Sequence, residues 1–187
     1  MSLIRRKCRM NPGHKAHDFY VLRSRDWCNI IPVTVDGNVV FVRQYRVGVD
    51  EFTLEIPGGV WDTSDPDART AAIREMTEET GYVPIPGARS EDLGWSYSNP
   101  AILDNKVHTF IVGPVVKHKA QQLDSSEAIG VEEVPIKDIP ELMRSGKIRH
   151  ALMLNTFLFL ALRNERCSDA LVNELQTFLT GEMPEKL

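Results

Sequence analysis

The segment Arg74-Glu75-Met76-Thr77-Glu78-Glu79-Thr80-Gly81 constrains this chain more than any other. At about 100° per residue, setting Glu75 at zero puts Glu78 at about −60° and Glu79 at about +40° on a helical wheel. The three carboxylates then share an arc of roughly 100°, while Ala72, Ile73, Met76 and Thr80 fall between about 60° and 160°. One flank must pack against a core, and the flank beside it is a dense acidic patch. Gly81 stands where a helix commonly ends in left-handed backbone, which predicts a helix from about Ala68 to Thr80. Carboxylates at these spacings repel by about a few tenths of a kcal/mol per pair. A hard divalent cation would turn that repulsion into ligation, and Ala71, at about −40°, leaves room beside it. Taken alone, three glutamates read more readily as a solvated face. Their surroundings favour the metal site instead.

Short β-rich runs at Phe19 to Leu22 and Ile30 to Val35 precede Asp36-Gly37-Asn38 and Val39-Val40-Phe41-Val42, a strong hairpin signal. Phe52 to Ile56 is a further strand, closed by Pro57-Gly58-Gly59. A loop rich in Asp, Ser and Pro (Asp62 to Asp67) leads to the acidic helix. Beyond a Pro/Gly-rich loop, strands are expected around Val107 to Val112 and between Ile129 and Val134. Helices are expected at Ile136 to Ser145, Ile148 to Arg163 and about Ser168 to Leu179. Strands with helices packed on them indicate an α/β or α+β chain, with residues 1–25 forming a separate N-terminal β extension before one domain over 26–187.

The 187 residues fit one ordinary domain, and 42% hydrophobic content suffices for its core. A net charge of −4 gives no global attraction for nucleic acid or an anionic membrane. No stretch approaches the roughly 18 apolar residues of a membrane span, and the basic start Ile4-Arg5-Arg6-Lys7 lacks the apolar stretch of a secretion signal. Cytoplasmic residence is therefore expected. Cys8, Cys28 and Cys167 match no zinc spacing and read as free thiols.

From Arg74 to Tyr82 the chain resembles the Nudix hydrolase signature, G-x5-E-x7-R-E-U-x-E-E-x-G-U with U bulky and apolar, and Gly59 fits its leading glycine. One feature departs from it. Gly59 to Arg74 is one residue longer than the pattern, and no Glu occupies the loop; Asp65 and Asp67 are the nearest acids. Outside the box, Asp26-Trp27-Cys28-Asn29, Val42-Arg43-Gln44-Tyr45-Arg46, Leu54-Glu55-Ile56-Pro57-Gly58-Gly59 and Ser145-Gly146-Lys147-Ile148 look like the ADP-ribose pyrophosphatase and nucleoside diphosphate sugar branch. That branch commonly has a proline some fifteen residues past the box, whereas Pro100 lies eighteen past Tyr82.

The resemblance implies a Nudix fold, a mixed sheet sandwiched between helices, and Mg²⁺-dependent hydrolysis of a nucleoside diphosphate sugar, with Mn²⁺ as a substitute ion. It implies metal ligation by Glu75, Glu78 and Glu79 and by the Gly58 carbonyl, with Glu127 either completing the site or facing solvent. Arg74 would orient a box carboxylate. Arg43 and Arg46 are either diphosphate ligands or strand-surface charges, because a guanidinium matches phosphate oxygens bidentately. Trp27 either stacks on the base or packs in a core or dimer contact. The lone His108 and His150 read as structural. Branch members pair, so a homodimer is expected. Alternative substrates are a GDP-sugar, a dinucleoside polyphosphate or a nucleoside triphosphate. A non-catalytic nucleotide-sensing domain is the other class, and it sits poorly with three retained box glutamates.

Overall fold

The computed structural model describes residues 1–125 and 127–180 of the chain. Strands β1 (Ser2–Cys8) and β2 (His17–Arg23) pair antiparallel in a two-stranded sheet of their own. It is tied to the rest by a bridge between Leu22 and Leu103 and by Asp104, which accepts from Arg23 Nε at 3.1 Å and Ser24 N at 3.4 Å.

The main sheet has seven strands: β3 (Trp27–Thr34), β4 (Asn38–Arg46), β5 (Glu51–Glu55), β6 (Gly58–Val60), β7 (Tyr82–Tyr97), β8 (Lys106–Lys117) and β9 (Ile129–Pro135). The order β5-β4-β3-β8-β7 carries β6 on β3 and β9 on β4. β3 runs parallel to β8 and every other pair is antiparallel, so the sheet is mixed.

Helix α1 (Ala68–Thr80) covers one face, while α2 (Ile139–Arg144) and α3 (Ala151–Leu162) cover the other; α4 (Glu165–Thr180) follows α3. The pleat sorts the side chains between two cores. Cys28, Ile30, Val40, Phe110 and Val112 join Ala71, Ala72 and Met76 of α1, whereas Ile31, Val39 and Phe41 join Ile139, Met153 and Phe157. Burial on both faces explains why Ile30 and Ile31, and Val39 to Val42, are apolar without alternation.

Three expectations need correction. The Asp36-Gly37 turn forms, with Gly37 at φ 77° and its N–H bonded to Thr34 O, but β3 and β4 share only the Val33–Val39 pair. The two strands part because β3 is claimed by β6 and β8, and β4 by β5 and β9. The Pro/Gly-rich stretch after the acidic helix is not a loop but most of the sixteen-residue strand β7. It lies at the sheet edge, where a missing proline N–H is tolerated, and its register shifts between Pro84 and Arg89 and between Asp92 and Gly94. Finally, α3 begins at Ala151 rather than Ile148. Gly146 turns the chain at φ 71° and the Ile148 N–H closes α2 on Leu142 O.

Candidate active site

The acidic helix is fixed at both ends. Asp67 caps its start by accepting from Thr70 N at 2.7 Å, and Gly81 ends it at φ 75° with its N–H on Thr77 O. Ala71, Ala72, Met76 and Thr80 are wholly buried, which fixes the rotation of the helix and turns Glu75, Glu78 and Glu79 into a cleft of about 550 Å³. Glu127, Gly58, Gly59, Trp27, Gln44 and Arg46 also line it.

Two glycines make the cleft close-fitting. A Cβ on Gly59 would overlap the Glu75 carboxylate, and one on Gly58 would meet the Cys28 carbonyl. The Gly58 N–H instead donates to Glu79 Oε2 at 3.0 Å. Glu79 is 3% exposed, and burial pushes its carboxyl up to about 8; the Gly58 bond opposes this, and the charges of Glu75 and Glu127 add to it. Burial raises Glu75 too, against the pull of Arg74 and with Glu78 and Glu127 reinforcing it.

Arg74 ties this group together. Its Nε and NH2 grip both oxygens of Asp65 at 3.1 and 3.0 Å, NH2 also reaches the Val60 carbonyl at 3.2 Å and Glu75 Oε1 at 3.0 Å, and NH1 reaches Glu78 at 2.8 Å. Of the two loop acids, Asp65 is the one that holds Arg74, while Asp67 serves as the helix cap. The Asp62 N–H and the Trp61 indole N–H brace the same turn.

Among the described residues no three His, Cys, Asp or Glu side chains stand in a closed metal-ligating group, since Glu75 and Glu78 lean toward Arg74. The donor set nevertheless suits a hard divalent cation. Glu75, Glu78, Glu79 and Glu127 offer only carboxylate oxygens, and burial raises Glu75 and Glu79 by more than Arg74, Arg46 and the Gly58 N–H offset.

The remaining expected residues divide. Trp27 and Arg46 line the cleft, with the Arg46 guanidinium 5.8 Å from the indole centroid. Arg43 does not. It points from the opposite side of β4 into a depression with Phe52 and Lys147 and pairs with Glu132 at 3.4 Å, because odd and even residues of a strand face opposite ways. Glu127 lines the cleft and accepts from Asp124 N at 3.0 Å. His108 sits 3.4 Å from Asp26 and edge-on to Trp61. Sequence reasoning missed Gln44 and Asp124, which line the cleft, and Glu55, whose carboxylate holds Arg46 at 2.8 and 2.7 Å. The alternation that puts Gln44 and Arg46 on one face of β4 was the available signal for the first.

Known proteins resemble this chain in sequence and in fold. The family model described as NUDIX domain matches residues 26–156. An ADP-ribose pyrophosphatase of Bacillus subtilis (strain 168) is 27% identical over 153 residues, covering 81% of this chain and 80% of that protein. A methanol dehydrogenase activator of Bacillus methanolicus is 28% identical over 123 residues, 64% of this chain and 63% of that one. Among solved structures, an ADP compounds hydrolase superposes with a TM-score of 0.70 at 16% identity, covering 86% of this chain and 90% of that one.

Proposed function

This chain belongs to the Nudix family, and on that premise we propose that it hydrolyses the pyrophosphate bond of a nucleoside diphosphate sugar such as ADP-ribose, using Mg²⁺ or, as a substitute, Mn²⁺. The observation carrying the proposal is the set of four carboxylates, Glu75, Glu78, Glu79 and Glu127, around one cleft beside Arg46 and Trp27.

Glu75, Glu78, Glu79, Glu127 and the Gly58 carbonyl would hold the divalent ion. When bound, the ion supplies charge neutralisation at the P–O–P bridge and makes water a stronger acid. Arg74 holds Glu75 and Glu78 through its two terminal nitrogens while Asp65 holds Arg74. Arg46 is the cation that faces the substrate phosphates, and the Trp27 face suits a stacked base. Attack of water on one phosphorus gives a nucleoside monophosphate and a sugar phosphate, AMP and ribose 5-phosphate from ADP-ribose.

The 27% identity to an ADP-ribose pyrophosphatase across most of both chains supports this substrate class. No helix of the described residues is long and apolar enough to cross a membrane, and the unpaired Cys8, Cys28 and Cys167 suit a reducing, cytoplasmic setting. Mass-spectrometric identification of products tests the substrate. The panel is ADP-ribose, a GDP-sugar, a dinucleoside polyphosphate and a nucleoside triphosphate, with Mg²⁺ or with chelator. AMP and ribose 5-phosphate formed fastest, and only with metal, is the expected result. Faster turnover of another compound reassigns the substrate, and tight ADP-ribose binding without turnover makes this a sensing domain.

A further inference from the structure

Three side chains converge on one buried carboxylate at the edge of the cleft. Glu55 is 1% exposed, and its Oε1 accepts from Arg46 Nε at 2.8 Å and Thr53 Oγ1 at 2.6 Å. Its Oε2 accepts from Arg46 NH2 at 2.7 Å and lies 3.1 Å from His150 Nδ1. Burial favours the neutral acid, but these bonds outweigh it and hold the carboxyl well below the usual range. An ionised carboxylate only accepts, so Nδ1 of His150 carries the hydrogen.

The count of lone pairs gives His150 a part to play. The Arg46 fork fixes one bond on each oxygen, and Thr53 and His150 supply one more to each. Without His150 the Oε2 side loses its second bond, and the carboxylate plane can turn with the fork attached to it. Arg46 uses two of its five N–H groups on Glu55, and its NH1 edge makes no hydrogen bond among the described residues. That residue stands on the wall between the acidic cleft and an adjoining hollow of about 370 Å³ lined by Trp27, His150, Ser98 and Leu152.

We propose that His150 is a positioning residue for Arg46: by fixing the Glu55 carboxylate it holds the guanidinium's NH1 edge where cleft and hollow meet, facing an anionic group of the bound diphosphate. The inference rests on the diphosphate reading above and adds the residue that orients the anion-gripping arginine. His150 opens α3, far in sequence from both partners, and neither the Nudix box nor the branch runs contain it.

The test compares wild type with His150→Ala, His150→Asn, Arg46→Ala and the double variant, measuring kcat and KM for ADP-ribose in Mg²⁺. Loss of a charge-assisted hydrogen bond predicts a KM about tenfold higher in His150→Ala, with much less change in kcat. Asn, whose amide N–H can reach the same oxygen, restores most of it. His150→Ala adds nothing once Arg46 is Ala. Independently of any substrate, ¹⁵N NMR should show a sharp, slowly exchanging Arg46 Nε–Hε signal in wild type and His150→Asn that broadens in His150→Ala. An unchanged KM, equal defects in the Ala and Asn variants, or an Arg46 signal indifferent to His150 overturns the proposal. If wild type cleaves no nucleoside diphosphate compound, the diphosphate reading falls, while the arginine signal still decides whether His150 holds Arg46.

Discussion

Glu79 concentrates the physics of the site. Its carboxyl is pushed up to about 8 by burial, against about 4.3 in an unfolded chain. Between those values the native state keeps a proton that the unfolded state has released, so stability must fall as pH rises. Differential scanning fluorimetry in chelator should show Tm declining from about pH 5 to about pH 8, and Glu79→Gln should flatten that decline. Equal slopes in the two proteins would contradict the buried-acid account. Added Mg²⁺ should raise the wild-type Tm most at the alkaline end, where the carboxylate is ionised and the ion binds only the folded state. Cys28, whose thiol burial pushes up to about 12, is equally enclosed, but it lies behind the Gly59 carbonyl and has no such work to do.

At the scale of elements, the acidic helix was the most legible part of the chain. Its expected span, Ala68 to Thr80, is the span observed, because a packing flank and a terminal glycine agree on it, and the Asp67 cap fixes its start. Strand β7 was illegible for the opposite reason. Its prolines and glycines speak for a loop, and only the edge position on β8, a tertiary fact, makes them acceptable. Arg43 and Arg46 looked equivalent in the sequence, and the pleat of β4 separated them.

Two substitutions, one at the helix cap and one in β6, should dissociate stability from activity. Asp67→Ala removes the cap and should cost about 1 kcal/mol of unfolding free energy, measured in urea, with turnover retained. Gly59→Ala puts a methyl group into the Glu75 carboxylate, so turnover should drop at least tenfold in a protein that still unfolds cooperatively. A fully active Gly59→Ala variant would mean that Glu75 has no fixed place at the site.

For the whole molecule, the N-terminal hairpin is the least self-sufficient part. A lone two-stranded sheet is marginal in water, yet Leu3, Phe19 and Tyr20 are exposed on this one. We therefore expect a homodimer in which the hairpin meets a second copy, with light scattering giving twice the chain mass and the double change Phe19→Ser and Tyr20→Ser shifting it toward the monomer. A monomeric wild type at micromolar concentration would remove that expectation. The two-layered core around a mixed sheet could be anticipated as a class from alternating strand and helix signals. Which strands would neighbour one another could not, because β3 finds its long parallel partner β8 some eighty residues away.

The central claim is that a carboxylate cluster on one helix cleaves a diphosphate. Its most direct test is product analysis of wild type and Glu79→Gln side by side, with ADP-ribose and excess Mg²⁺ and with folding checked by circular dichroism. Metal-dependent release of AMP and ribose 5-phosphate by wild type, and essentially none from a folded Glu79→Gln protein, is the predicted result. Near-native turnover by Glu79→Gln, or cleavage by wild type that persists in chelator, would contradict it.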